Sequence, residues 1–93
     1  MKYWIANIDE RNGEFEYEQT IIFTAATKAE ADDTHEFYAS TWYGKDNMRW
    51  DEDDNCWWNE PVAVTEGRMT EIDEHTFDQI RKHGLPDLTR KGA

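Results

Sequence analysis

Polar and apolar residues alternate along the first quarter of the chain in a pattern that predicts two paired strands. From Lys2 to Asp9, apolar side chains fall on both alternating sets, with Trp4, Ala6 and Ile8 on one and Tyr3 and Ile5 on the other. That is the pattern of a strand covered on both faces. Asn12-Gly13 follows, a pair suited to a type I′ hairpin turn because both positions tolerate positive φ. The next run alternates more cleanly. Phe15, Tyr17, Ile21 and Phe23 share one face with Gln19 among them, while Glu14, Glu16, Glu18 and Thr20 occupy the other. The expected strand has an apolar face turned to the core and a carboxylate-lined face turned to solvent.

The period then changes from two to about 3.6. Thr27 and Glu30 have the spacing of a capping box, predicting a helix that runs to about Tyr43 and stops at Gly44. Ala31, His35, Tyr38 and Trp42 fall on one stripe facing the sheet, leaving Glu30, Asp32, Asp33, Glu36 and Phe37 on the remaining face. Met48-Arg49-Trp50 and Cys56-Trp57-Trp58 read as short strands flanking an acidic loop. Pro61 to Thr65 and Arg68 to Ile72 read as a hairpin turning at Glu66-Gly67. A last helix starts at Asp73, stapled by Ile72 and Phe77, and ends at Gly84. Residues 85–93 read as a loosely ordered basic tail. The expected architecture is a single α+β domain over residues 1–93, with an antiparallel sheet of four to five strands and both helices on one face.

Composition sharpens this reading. The 93 residues carry 21 acids against 10 bases, a net charge of −11, yet 14% of them are aromatic and five are tryptophan. High charge alone would favour disorder, but disordered chains are poor in aromatics, so a folded core is expected. The charge is segregated: residues 1–78 hold 20 acids and six bases, while the last fifteen hold four bases and one acid. An acidic field of this size disfavours direct binding of nucleic acid or anionic membrane and favours a basic surface on a protein or nucleoprotein partner. The lone Cys56 cannot form an intramolecular disulfide, which fits a reducing, cytoplasmic setting. The opening apolar stretch is short and is followed by acids, so neither a signal peptide nor a membrane span is expected.

Candidate chemistry is mostly eliminated. Asp51, Asp53 and Asn55 have the one-three-five spacing of a calcium loop, but Cys56 and Val62 stand where such a loop wants glycine and a bidentate glutamate. His35, His75, His83 and Cys56 show no zinc-ligand spacing. Ser40, the only serine, lies in a helix without a nucleophile-elbow pattern, and no glycine-rich phosphate loop exists. The expectation is therefore a protein without catalytic residues, cofactor or resident metal.

What remains is a binding surface. Its expected contacts are Glu14, Glu16 and Glu18 on the strand, Glu30, Asp32, Asp33 and Glu36 on the helix, and Asp51, Glu52, Asp53 and Asp54 in the loop. Trp57 is added as an aromatic anchor rimmed by charge. Carboxylates in such rows stand about 5–7 Å apart, and rows on several elements together approximate a phosphate array. In these features the chain resembles small acidic phage-encoded inhibitors of bacterial defence, the anti-CRISPR and DNA-mimic anti-restriction proteins. The resemblance lies in character along the whole chain, not in a motif. It implies stoichiometric occupation of a basic nucleic-acid site on a CRISPR effector or restriction enzyme. The same surface physics suits an immunity protein or antitoxin that neutralises a basic nuclease. It also suits a small regulatory protein without mimicry, and a weak divalent site at residues 51–55 is a further alternative.

Overall fold

Strand β1 (Lys2–Asn12) lies inside the sheet, with a neighbouring strand on each side, as its two apolar faces require. The computed structural model describes residues 1–90. It adds β2 (Phe15–Ala25), α1 (Lys28–Ser40), β3 (Arg49–Asp51), β4 (Cys56–Asn59), β5 (Val62–Ile72) and α2 (Glu74–Lys82). The five strands form one open antiparallel sheet in the order β2-β1-β5-β4-β3, and with the two helices they give the α+β class expected from the pattern. No helix among the described residues is long and apolar enough to cross a membrane.

The helices lie on opposite faces of the sheet, not on one. Trp4, Ala6 and Ile8 of β1 pack with Ile21, Phe23 and Ala25 of β2 beneath Ala31 and Ala39 of α1. Tyr3, next to Trp4 and so pointing the other way, packs against Phe77 of α2 with ring centroids 5.0 Å apart and the rings tilted by 55°. Ile22, fully buried, belongs to this second side, since its register partner is Ile5. Chain direction explains the placement. β5 pairs Ile72 with Tyr3, and the chain turns at the Asp73 cap directly into α2, whose Phe77 meets Tyr3 on that face.

Several local expectations are corrected. The first turn is Gly13-Glu14, closed by the pair Asn12 and Phe15. Only Gly13 has positive φ, at 62°, which is the type II′ arrangement and not type I′. Helix α1 ends at Ser40, where three donors converge on the Phe37 carbonyl. They are the Thr41 N–H at 3.1 Å, Ser40 Oγ at 3.0 Å and Thr41 Oγ1 at 2.7 Å. Glu66-Gly67 is not a turn. Residues 62–72 form one strand that pairs with β1 on both sides of the glycine, which marks a register shift between Ala6 and Ile8. The hairpin turn lies instead at Glu60-Pro61, between β4 and β5.

The tail is docked as far as Arg90. Leu88 N–H donates to Ile22 C=O at 2.9 Å, Tyr38 Oη to Leu88 C=O at 2.6 Å, and Thr24 N–H to Thr89 Oγ1 at 2.8 Å. The Arg90 guanidinium sits 4.0 Å from the Phe37 ring centroid, a cation–π contact that partly covers this outward-facing aromatic. The remainder of the expected loose tail, residues 91–93, lies outside the described residues.

Candidate interaction surface

The two faces of the sheet leave different amounts of surface open. Helix α2 is nine residues long and covers only the Tyr3 end of its face. Beyond it the register sets β1 Asp9 beside Glu18 of β2 and Thr65 of β5, and Arg11 beside Glu16 and Ala63. These side chains, with Asp54 from the β3–β4 loop and Cys56 from β4, line a hollow of 240 Å³. Antiparallel pairing thus brings two of the expected strand acids and one expected loop acid to a single place. None of Asp9, Glu16, Glu18 and Asp54 takes part in an ion pair among the described residues, and Arg11 is the one cation lining the hollow.

Asp9 was not among the residues expected from the sequence. It is half-buried, and its Oδ1 is buried without a hydrogen-bond partner among the described residues. Its position in a mostly apolar strand was the available signal. Cys56, 1% exposed, is the small buried residue expected. Burial pushes its thiol pKa up, and the Asp51 and Asp54 carboxylates add to the rise.

The other expected acids are placed elsewhere. Glu14 sits in the hairpin turn and is exposed. Glu30, Asp32, Asp33 and Glu36 are all exposed on α1, which is on the far side of the sheet from the hollow. They form a second acidic area, and it is partly countered. Lys28 pairs with Asp32 at 3.0 Å, and Glu30 Oε2 accepts the Ala26 N–H at 3.0 Å as part of the helix cap. Arg90 lines a shallow hollow together with Glu30 and Asp33. Arg90 of the tail thus lies beside the acidic helix.

Helix α1 also holds the buried histidine. His35 is 4% exposed and its Nε2 donates to the Asn7 carbonyl at 2.6 Å, a structural role. Glu66 lies nearby on β5. Burial, followed by the Glu36 and Asp32 carboxylates, holds its pKa above the ordinary glutamate value, with His35 acting in the opposite direction.

The acidic loop divides into structural and free carboxylates. Asp51 Oδ1 accepts the N–H groups of Asp53 and Asp54 at 3.0 and 3.3 Å, and Oδ2 accepts Trp58 Nε1 at 3.0 Å. Asp51 therefore shapes the turn, which closes through Asn55 at φ 56°. Glu52, Asp53 and Asp54 are exposed. No group of three or more His, Cys, Asp or Glu side chains among the described residues is arranged to hold a metal ion.

The aromatic residues are placed differently from expectation. Trp57 is half-buried against the α1-side core, and the more exposed indole is its cross-strand neighbour Trp50, 5.0 Å away between centroids. Phe15 and Tyr17, expected in the core, are 66% and 52% exposed. They share the α1 face with Ile21 and Phe23 but lie at the hairpin end, outside the packed cluster that includes those two residues. The first half of β2 is thus exposed on both faces.

Comparison with protein-family models, curated proteins and solved structures finds no match to this chain.

Proposed function

We propose that the protein is a non-catalytic acidic inhibitor that occupies the basic nucleic-acid site of a protein or nucleoprotein effector. This is the mode of action implied by its resemblance to anti-CRISPR and DNA-mimic anti-restriction proteins. The observation that carries the reading is the gathering of Asp9, Glu16, Glu18 and Asp54, from three separate segments, around one hollow whose only lining cation among the described residues is Arg11. Carboxylates grouped over a low-dielectric floor focus the field outward and attract a basic groove by the same steering that draws a phosphate chain. The reading places the protein in the cytoplasm, where such effectors act and where an unpaired thiol is at home.

The test is competition. A CRISPR effector or restriction enzyme from the native host is loaded with labelled duplex DNA, and fluorescence anisotropy follows displacement as the protein is added. Stoichiometric displacement at low salt, weakened about tenfold or more by Glu16→Lys with Glu18→Lys, is the expected result. DNA that remains bound, or displacement indifferent to both charge reversals, overturns the reading.

A further inference from the structure

The outer edge of β2 has a covered half and an open half, and the hairpin register identifies the open groups. Asn12 and Phe15 close a two-residue turn, and in such a hairpin the closing pair exchanges both of its main-chain hydrogen bonds. Alternation then turns the N–H and C=O groups of Phe15, Tyr17, Gln19, Ile21 and Phe23 towards β1. Those of Glu16, Glu18, Thr20, Ile22 and Thr24 point outward. The docked tail obeys this phase. It bonds the Ile22 carbonyl through Leu88 N–H and the Thr24 N–H through Thr89 Oγ1, and Asp87 bridges to Ile22 in parallel fashion. On the hairpin side of those contacts, the outward main-chain groups of Glu16, Glu18 and Thr20 have no partner among the described residues.

We infer that this open edge takes up an extended basic segment of the partner protein as an added antiparallel strand, in which the residues opposite Glu16 and Glu18 turn their N–H and C=O groups to β2. The inference rests on the acidic-inhibitor reading above and specifies how the partner is held. Strand addition uses main-chain hydrogen bonds for affinity and alternate side chains for selectivity. Both alternating sets are available here, because residues 15–18 are exposed on each face. Residues of the added strand opposite Glu16 and Glu18 project on the side of the hollow, among Asp9, Glu16, Glu18 and Asp54. Lysine or arginine at those positions forms opposite-charge cross-strand pairs. The residue between them projects on the other side, beside Phe15 and Tyr17, and is apolar. The preferred segment therefore alternates basic and apolar residues.

Charge also decides against a second copy of this chain. Antiparallel pairing of two β2 edges about a two-fold axis centred on residues 16–18 sets glutamates against glutamates, and like charges directly opposite destabilise a sheet pair. Edge carboxylates of this kind prevent self-association while leaving the edge open to a basic strand.

The probe is a capped eight-residue peptide of alternating lysine and valine, compared with the same peptide N-methylated at its lysines. Methylation removes the peptide N–H groups that would face β2 and leaves every charge in place. The expected result is slowed amide hydrogen exchange at Glu16, Glu18 and Thr20 with the first peptide. Binding of the methylated peptide should be about tenfold weaker or more. Equal binding of the two peptides overturns the edge inference and leaves the acidic-surface reading standing. Failure of both to bind at low salt overturns both. Concentration-dependent protection of the same amides in the protein alone makes the occupant a second copy and overturns the inference as stated.

Discussion

The Asp9 carboxylate lies over Gly67, so close that a Cβ on residue 67 would stand 2.6 Å from Asp9 Oδ1. Among the described residues, that oxygen is also a buried side-chain atom without a hydrogen bond. Space at residue 67 is thus limited by the neighbouring carboxylate and not by its own backbone, whose φ is not positive. Gly67→Ala is expected to destabilise the fold by about 1–3 kcal/mol through overpacking. In an Asp9→Ala background the same substitution should cost much less. Urea denaturation of the four proteins measures the coupling. Additive effects would show that the carboxylate does not restrict residue 67.

Docking of the tail rests on a small number of polar contacts. Thr89 Oγ1 accepts the Thr24 N–H at 2.8 Å and lies 3.0 Å from Thr24 Oγ1. Thr89→Val should therefore cost about 1–2 kcal/mol by leaving a part-buried amide without its partner, while Thr89→Ser should be close to neutral. Hydrogen exchange at the Thr24 amide supplies a local readout. It should quicken in the valine variant only, and unchanged exchange would mean that the tail contact does not protect the edge.

Much of the fold follows from periodicity, and the exceptions have identifiable causes. β1, β2, α1 and α2 are legible because alternation, the Thr27–Glu30 spacing and the Asp73 cap are local signals. Glu66-Gly67 misleads because a glycine beside a polar residue has the same composition at a turn and at a register shift. Only the partner strand distinguishes them, and β1 continues past the glycine. Phe15 and Tyr17 mislead because alternation assigns a face without saying how far the covering layer extends. The acids were legible as surface residues, but their grouping was not. Glu16, Glu18 and Asp54 meet through the order β2-β1-β5-β4-β3, and no local pattern encodes that order.

The acidic loop yields a contrast between neighbouring carboxylates. Asp51 accepts three hydrogen bonds and Asp54 lines the hollow with its side chain exposed. Asp51→Ala should lower stability by about 1–3 kcal/mol, since it orphans the Trp58 indole N–H and two turn amides. Asp54→Ala should leave the unfolding midpoint within about 0.5 kcal/mol of the wild type while weakening capture of a basic partner. Chemical denaturation paired with a binding titration separates the two. Equal stability losses would remove the distinction between a turn-forming and a partner-facing acid.

Two carboxyl groups shift in opposite directions and should leave opposite marks on stability against pH. The Asp73 carboxylate accepts the Thr76 N–H at 2.7 Å, and this hydrogen bond holds its pKa below the ordinary aspartate value. The folded state binds that proton less readily than the unfolded state. Its contribution is therefore fully present above the ordinary aspartate pKa and is lost as pH falls through the lowered one. Asp73→Asn keeps a capping side chain and should flatten this part of the acid limb. Glu66 is raised, chiefly by burial and then by Glu36 and Asp32, so the folded state holds its proton more tightly. Ionisation of Glu66 then opposes folding, and stability declines as pH rises from the ordinary glutamate pKa through the raised one. Glu66→Gln should raise the melting midpoint at neutral pH and give no gain at a pH below the ordinary glutamate pKa. A pH series of thermal melts on the two variants checks both signs, and a Glu66→Gln gain that persists undiminished in acid would assign it to packing instead of charge.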